Sequence, residues 1–283
     1  SRTRVLGRRP APIQVNYLGY PGTLGAPFID YIIADRTVIP HHHREFYSEK
    51  VVALPDSYQA NDDKRVITDR VFARSEVGLA PTGFVFCCFN NSYKLNPASF
   101  SRLMAVLRRV PGSVLWLLSG PGEADRRLRE AAQAEGVDPA RLVFMPKQPQ
   151  AAYLARLRLA DLFLDCNPYN AHTTASDALW AGCPVLTRPG ATFAARVAAS
   201  LNHHLGLYEL NVDDDAAFVA LATALGNDPA RLGALRTRVA ELRERSGLFD
   251  MGGFAHDFAR IVAAMVERQR RGEAPAPLSL AEG

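Results

Sequence analysis

A helix start rich in hydroxyl and imidazole groups follows one of the apolar segments of the chain. After the apolar run 162–164 comes a polar loop, and a helix is predicted to open at His172, Thr173 and Thr174. Helix N-termini expose unpaired N–H groups and partial positive charge, so these side chains would form a cradle for a phosphate. In an alternative interpretation, Thr173 or Thr174 only caps its own helix, and Asp177 completes a capping box.

A lysine occupies the matching loop after an earlier apolar segment. Lys94 follows the run 84–89, which is the first strand of the regular part of the chain. Because ligands of open α/β sheets bind beyond the carboxyl ends of the strands, we expect the loops of Lys94 and His172 to converge on one crevice. In the alternative interpretation Lys94 is simply solvated.

Other motifs suggest ligand or metal chemistry less specifically. The glycine-punctuated turn 19–22 permits close approach of the backbone to a ligand, but it matches no dinucleotide or P-loop pattern. The three histidines at 41–43 are expected in an exposed loop, and the pair at 203–204 at a helix C-terminus. The acidic run 213–215 resembles a D-x-D metal motif but fits a helix start better. We therefore predict no metal site.

The elements that must position these groups alternate regularly from about Pro81. Short apolar runs alternate with longer helical segments, which is typical of a parallel sheet covered by helices. Near-continuous apolarity indicates strands that are buried on both faces. Strands are predicted at 84–89, 114–118, 142–144, 162–164 and 184–187, and helices at about 97–109, 123–135, 150–158, 174–181 and 193–204. The predicted fold class is therefore α/β, with five strands in one Rossmann-like unit.

The remaining segments indicate how the chain is organised. The first 78 residues hold strand-like runs at 13–17 and 31–33 but are otherwise turn-rich, which indicates the end of a preceding lobe plus a linker. Apolar spacings of three and four residues predict an amphipathic helix near the C-terminus. The predicted division is a remnant and linker at 1–78, a Rossmann-like lobe at 79–250, a helix at 251–271 and a frayed tail at 272–283.

Composition and charge narrow the class of protein. The 283 residues carry a net charge of +4, and the basic residues are spread along the chain, which gives little support for nucleic-acid binding. Apolar runs are shorter than the ~18 residues of a membrane span. The four cysteines lie in apolar stretches without C-x-x-C spacing, which favours a reducing, cytoplasmic location. Because no initiator Met precedes Ser1, we expect the chain to begin partway through a longer product.

A series of motifs gives the chain a family resemblance. They are RPAPIQV at 9–15, LGYPGT at 18–23, YSEK at 47–50, FNNSYK at 89–94, RVPGSVLWLL at 109–118, NAHTT at 170–174 and LWAG at 179–182. With these motifs the chain resembles the catalytic region of the O-linked N-acetylglucosaminyltransferases. That family transfers N-acetylglucosamine (GlcNAc) from UDP to Ser or Thr hydroxyls of intracellular proteins.

The resemblance implies a glycosyltransferase-B architecture, in which two Rossmann-like lobes face a cleft and the C-terminal lobe holds most of the donor. It implies that Lys94 neutralises the UDP diphosphate, and that Lys94 and His172 are the catalytic residues. The phosphate cradle would also include Thr173 and Thr174, and Asp177 would bind the ribose. The loop that is expected to face the sugar consists of Leu18, Gly19, Tyr20 and Pro21.

Two positions depart from the family pattern. Asn91 stands where the family has Gln, so the side chain that would contact the phosphate is shorter by a methylene, and Tyr153 replaces a His that stacks on uracil. A Tyr ring can also stack on a base, so uridine binding is expected to be kept. The resemblance adds Arg156 as a base-binding residue and Gln148 to the donor site.

The family's catalytic base, most of its N-terminal lobe and its tetratricopeptide repeats lie upstream of the RPAPIQV motif. The chain is therefore expected to be the C-terminal part of a bacterial-type member that needs an upstream segment or companion chain. The predicted activity is inverting, metal-independent transfer of GlcNAc from UDP-GlcNAc to proteins, without a cofactor. Two alternatives are a glycan or small-molecule acceptor, and a non-catalytic module that binds UDP.

Overall fold

The computed structural model describes residues 3–280. The chain forms two compact units. Of the described residues, the first unit comprises 3–63, 192–194 and 246–280, and the second comprises 64–191 and 195–245. Residues 64–78, which the sequence analysis grouped with the N-terminal remnant, thus belong to the second unit, and the C-terminal helix belongs to the first.

The strands are short, and all of the strand pairs are parallel. They are β1 (Val15–Asn16), β2 (Tyr31–Asp35), β3 (Lys50–Leu54), β4 (Val85–Cys88), β5 (Val114–Leu118), β6 (Leu142–Met145), β7 (Leu162–Leu164), β8 (Val185–Leu186) and β9 (Leu278–Ser279). The α-helices are α1 (Pro97–Arg109), α2 (Ala124–Ala134), α3 (Gln150–Leu157), α4 (Thr173–Trp180), α5 (Val197–Leu205), α6 (Asp215–Asn227), α7 (Pro229–Arg245) and α8 (Met251–Arg270).

The second unit contains a five-stranded sheet with the strand order β6-β5-β4-β7-β8. Each predicted strand of this unit is confirmed within two residues. Strands β4, β7 and β8 are buried at every position, whereas the edge strand β6 is half-buried at its two central residues. The predicted helix 193–204 differs at its start, since Phe193–Ala195 forms a 3₁₀ turn and α5 begins at Val197. Helix α7 was not predicted, although Asp228 directly before Pro229 is a sequence signal for a helix start. In the structure Asp228 accepts a hydrogen bond from the backbone N–H of Arg231.

The strand order of the second unit reverses between β4 and β7. Strands β5 and β6 lie on one side of β4, and β7 and β8 lie on the other. The loops that leave the carboxyl ends of β4 and β7 therefore emerge next to each other, at the position where doubly wound sheets bind ligands. These are the loops that carry Lys94 and His172.

The first unit is a four-stranded sheet in the order β1-β2-β3-β9. Its core combines Tyr31, Ile33, Val52 and Leu54 from the sheet with Ile261 and Met265 from α8. Strand β3 was not predicted, because it lies among turn-rich neighbours.

The expected frayed tail is not observed at residues 278–279. Leu278 and Ser279 form β9 and pair with Val52 and Ala53 of β3, while Leu278 and Leu280 pack against the core of the first unit. Burial of these leucines explains why the segment is ordered. Residues 281–283, the last three of the predicted tail, lie outside the described residues, as do residues 1–2. Within residues 3–280, none of the helices combines the length and apolarity that a membrane span requires.

Candidate functional site

The loops of Lys94 and His172 meet at the carboxyl edge of the second unit's sheet. The Nζ of Lys94 donates a hydrogen bond of 2.8 Å to the backbone oxygen of Asn170 and lies 4.1 Å from the ring centroid of Tyr169. That ring stacks on the imidazole of His172, with centroids 4.8 Å apart and planes 22° apart. The predicted convergence of the two loops is thus observed, and the ring of Tyr169 lies between the side chains of Lys94 and His172.

The ammonium of Lys94 is partly removed from water. Burial lowers its pKa, and the nearby thiols of Cys166 and Cys88 and the carboxyl of Asp165 act in the opposite direction. Among the described residues its one hydrogen bond goes to the carbonyl of Asn170, although an ammonium carries three donors. The other N–H groups of the ammonium make no hydrogen bond to a described residue.

The start of α4 does not form the expected capping box. His172 occupies the N-cap position without a side-chain capping bond, so Thr173 and Thr174 lie inside the helix. The hydroxyl of Thr174 lies 3.2 Å from Oδ1 of Asn90, and Asp177 pairs with Arg65. The capping interpretation is therefore wrong, because each side chain that it needs has a different position or partner. Thr173 is an exposed residue.

A buried carboxylate that the sequence analysis missed connects the site loops. Oδ1 of Asp165 accepts hydrogen bonds from the backbone N–H groups of Cys166 (2.8 Å) and Ala171 (2.7 Å), and from the Asn90 amide at 3.4 Å. Its Oδ2 accepts from the Thr187 hydroxyl at 2.7 Å. Asp165 thereby joins the loop after β7 to the loop after β4. The sequence signal that could have indicated Asp165 is a charged residue directly after an apolar strand.

Burial raises the pKa of Asp165 from its usual 3.8 to about 6. The folded protein then holds this proton more tightly than the unfolded chain does, so the group stabilises the fold most below about pH 4, and this contribution is lost as pH rises through about 6. We expect the free energy of unfolding of the wild type, relative to Asp165→Asn, to increase by about 1 kcal/mol when the pH falls from about 7 to about 5. Urea unfolding of both proteins at the two pH values measures this difference, and a difference that does not change with pH would contradict it.

Two of the residues predicted to bind the base lie on α3. The Tyr153 ring contacts Phe89 edge-on at 5.8 Å, and Phe89 directly precedes the Asn90 loop. Burial raises the pKa of Tyr153, and its hydroxyl has no hydrogen-bond partner among the described residues. The guanidinium of Arg156 lies 4.7 Å from the ring of Phe72. Tyr153 is thus adjacent to the Lys94 loop, while its stacking on uracil stays a prediction.

The other predicted donor-site residues have only local contacts. Gln148 donates to the backbone oxygen of Pro146 at 3.2 Å. Asn91 is exposed and precedes the 3₁₀ turn Ser92–Lys94, in which its carbonyl accepts from the Lys94 N–H. The loop 18–21 belongs to the first unit. In it Leu18 is exposed and has a left-handed φ of 60°, which is uncommon for a side-chain-bearing residue.

The acidic run 213–215 begins a helix, as predicted. Asp214 accepts a hydrogen bond of 2.7 Å from the backbone N–H of Ala217 at the start of α6. Asp215 pairs with Arg102 at 2.6 Å. Within residues 3–280, no three His, Cys, Asp or Glu side chains are grouped so that they could hold a metal ion.

Comparison with known proteins identifies the family of this site. The family model described as Glycosyl transferase family 41 matches residues 1–72 and 68–258. The chain belongs to glycosyl transferase family 41. This assignment agrees with the resemblance inferred from the motifs, and the expected α/β fold of the glycosyltransferase-B type is confirmed.

Relatives in family 41 are much longer than this chain. This chain is 36% identical over 281 residues to the probable UDP-N-acetylglucosamine--peptide N-acetylglucosaminyltransferase SEC of Arabidopsis thaliana. The match covers 97% of this chain and 29% of the plant protein. The UDP-N-acetylglucosamine--peptide N-acetylglucosaminyltransferase of Caenorhabditis elegans is 28% identical over 383 residues, covering 96% of this chain and 33% of the worm protein. The chain therefore spans about a third or less of the length of these two relatives.

Solved structures agree with this assignment. An O-GlcNAc transferase of Thermobaculum terrenum superposes with a TM-score of 0.79 at 29% identity, covering 92% of this chain and 50% of that chain. The glycosyltransferase WaaG, with a TM-score of 0.55 at 16% identity, covers 91% of this chain and 80% of its own and supports the fold alone.

Proposed function

We propose that the protein transfers GlcNAc from UDP-GlcNAc to Ser or Thr hydroxyls of proteins, with inversion and without a metal ion. The observation that carries the proposal is the meeting of the Lys94 ammonium with the His172 loop at the reversal of strand order. The names of the plant and worm relatives supply the donor and the acceptor class.

In this reaction the acceptor oxygen attacks the anomeric carbon, and the bond between that carbon and the phosphate oxygen breaks. UDP departs with the electron pair of that bond, so negative charge grows on the diphosphate in the transition state. Fixed positive groups that meet this charge lower the barrier, because they need no reorganisation during the reaction. We assign this role to Lys94 and to the start of α4 at His172, Thr173 and Thr174.

The acceptor hydroxyl loses its proton during the attack. The family resemblance assigns the base to residues outside the motifs found in this chain. The contribution of this chain is therefore to hold the donor and to stabilise the leaving group.

The nucleoside part of the donor is assigned to residues near α3 and α4. We propose that Tyr153 stacks on uracil and that Arg156 and Gln148 contact the base. The buried carboxylate of Asp177 binds the ribose, and Asn91 contacts the diphosphate from the Lys94 loop. Residues 18–21 of the first unit are assigned to the sugar and its acetamido group.

We also propose the acceptor class, the partner segment and the cellular location of the protein. The acceptor is a protein, and the protein works with an upstream catalytic-lobe and tetratricopeptide-repeat segment, either in the same chain or as a companion. The location is the cytoplasm, which fits four buried cysteines that form no disulfide. No cofactor takes part beyond the donor itself.

Binding of UDP in the presence of a chelator tests the proposal. We expect UDP to bind this chain with the same Kd in EDTA and in excess Mn²⁺ or Mg²⁺, because cationic side chains rather than a metal neutralise the diphosphate. Isothermal titration calorimetry measures both values. Uridine serves as the matched ligand without phosphates and should bind at least about tenfold more weakly, since charge-assisted hydrogen bonds are worth roughly 1.5–3 kcal/mol.

Two outcomes would contradict the proposal. If UDP fails to bind, the site is not a nucleotide site. If binding needs manganese, the metal-independent mechanism is wrong. Transfer of GlcNAc to a protein by the full-length protein in EDTA then separates an enzyme from a module that only binds UDP.

A further inference from the structure

Arg65 is a buried arginine in a turn-rich segment, and none of the roles assigned above uses it. Its Nη1 lies 2.7 Å from Oδ1 of Asp177, and the two side chains are only 6% and 8% exposed. We propose that Arg65 is a positioning residue for the donor: its hydrogen bond to Oδ1 turns Asp177 so that the other carboxylate oxygen receives the ribose hydroxyls. This inference rests on the proposed function, because it takes Asp177 as the ribose ligand.

Helix α4 holds Arg65 at several points. Its guanidinium lies 5.1 Å from the ring centroid of Trp180, and the indole N–H of Trp180 donates to the backbone oxygen of Arg65 at 3.1 Å. Arg243 lies 5.3 Å from the same indole and donates to the backbone oxygen of Trp180 at 2.7 Å. Because its backbone and its side chain are both tied to α4, the position of Arg65 relative to Asp177 is well determined.

The carboxylate of Asp177 is only half used by the protein. Arg65 occupies Oδ1, and Oδ2 accepts no hydrogen bond from any described residue. Asp177 lies three residues after Thr174 and four after Thr173, so all three share one face of α4. A ligand whose phosphates meet the threonines at the start of that face would therefore find a free carboxylate oxygen one turn further along.

The charge of Asp177 depends on Arg65. Burial raises the pKa of Asp177, and the adjacent guanidinium lowers it through its charge and its hydrogen bond. Without the guanidinium only the burial remains, and a carboxyl in that state favours its neutral form. A neutral carboxyl is a weaker acceptor for a hydroxyl than a carboxylate, so loss of Arg65 would weaken ribose binding without removing any ribose contact.

The segment around Arg65 is anchored to both helices of the proposed nucleoside site. The backbone N–H of Thr68 donates to the carbonyl of Ala151 on α3 at 3.3 Å. Phe72 lies under the guanidinium of Arg156, also on α3, at 4.7 Å. The segment from Arg65 to Phe72 thus connects the proposed ribose residue to the proposed base residues, which fits a role in donor binding.

The test compares UDP with 2′,3′-dideoxy-UDP, which lacks both ribose hydroxyls. By calorimetry, the wild type should bind UDP at least about tenfold more tightly than the dideoxy nucleotide, since a hydrogen bond to a charged group is worth roughly 1.5–3 kcal/mol. In Arg65→Met this ratio should fall toward one at neutral pH through weaker UDP binding, while the affinity for the dideoxy nucleotide stays unchanged. The ratio should recover as the pH is raised and Asp177 ionises, a response that a merely structural role would not give.

Two variants serve as controls. Arg243→Met removes the other guanidinium beside Trp180 without touching Asp177, so it should keep the wild-type ratio. Arg65→Lys keeps a positive charge and should retain most of the discrimination. If Arg65→Met does not fold, Arg65→Lys decides, because its ratio should then exceed that of Asp177→Asn.

The outcomes separate this inference from the proposed function. Absence of UDP binding by the wild type would overturn both. A wild type that binds UDP but does not distinguish the dideoxy nucleotide would overturn the ribose assignment of Asp177 and the role of Arg65 with it. A folded Arg65→Met protein with an unchanged ratio would overturn the role of Arg65 alone.

Discussion

Replacing Lys94 by alanine is expected to lower turnover of GlcNAc transfer by about 10²–10³-fold, which is the usual cost of removing one donor that stabilises developing charge. The half-buried ammonium is held against the carbonyl of Asn170 and the ring of Tyr169, so it is positioned before the donor arrives. In the alanine variant the positive charge of the ammonium no longer stabilises the departing diphosphate. The assay is transfer from UDP-GlcNAc by the full-length protein, and the affinity of this chain for UDP should fall in parallel.

Lys50→Ala provides the matched control for this experiment. Lys50 is an exposed lysine at the start of β3 in the first unit, and no functional role is assigned to it. The variant removes the same charge and should keep wild-type turnover. Wild-type turnover in a folded Lys94→Ala protein would show that Lys94 is not the group that stabilises the leaving UDP.

Placing an aspartate at Ile261 is expected to destabilise the first unit by several kcal/mol, about the cost of an unpaired charge in a packed core. Ile261 on α8 is 1% exposed and packs with Tyr31, Ile33, Val52 and Leu54 of the sheet. Urea unfolding should show a separate, earlier transition for the first unit, and hydrogen exchange should assign it to β2, β3 and α8.

The neighbouring position supplies the control for Ile261→Asp. Val262 lies on the same helix but is 37% exposed. Val262→Asp introduces the same charge with the same helix propensity cost, so a change of less than about 1 kcal/mol is expected. Equal destabilisation by both variants would mean that α8 is not packed on the sheet as described.

The second unit could be predicted from the sequence because its signals are local. Continuous apolar runs at β4 to β8 mark strands that are buried on both faces, and Asn96 ahead of Pro97 marks the start of α1. The pairing of two such loops at one edge of a parallel sheet follows from topology alone. For this reason Lys94 and His172 could be expected to meet although they are far apart in the sequence.

Contacts between distant residues could not be predicted in the same way. The role of Asp165 could not be predicted because its four hydrogen-bond donors come from three segments of the chain. The role of Arg65 could not be predicted because its partner Asp177 lies 112 positions later. Strand β9 forms because Leu278 and Leu280 reach the core beside β3, whereas their local sequence resembles a loose tail. At α4 the local rule gave a wrong alternative, since the capping-box pattern fits Thr174 and Asp177 but tertiary partners engage both side chains.

The first unit contains residues from both ends of the chain, and this determines the order in which the protein can mature during translation. The second unit has all of its residues once Arg245 has left the ribosome, whereas β1 to β3 must wait for α8 and β9, which follow Arg245 in the sequence. Domains commonly fold from the N-terminus onward as they emerge. Here β1 to β3 remain without their helix until synthesis has passed Arg270, and without β9 until it has passed Ser279. Chaperones that bind exposed apolar segments therefore have their longest opportunity at Tyr31–Asp35 and Lys50–Leu54.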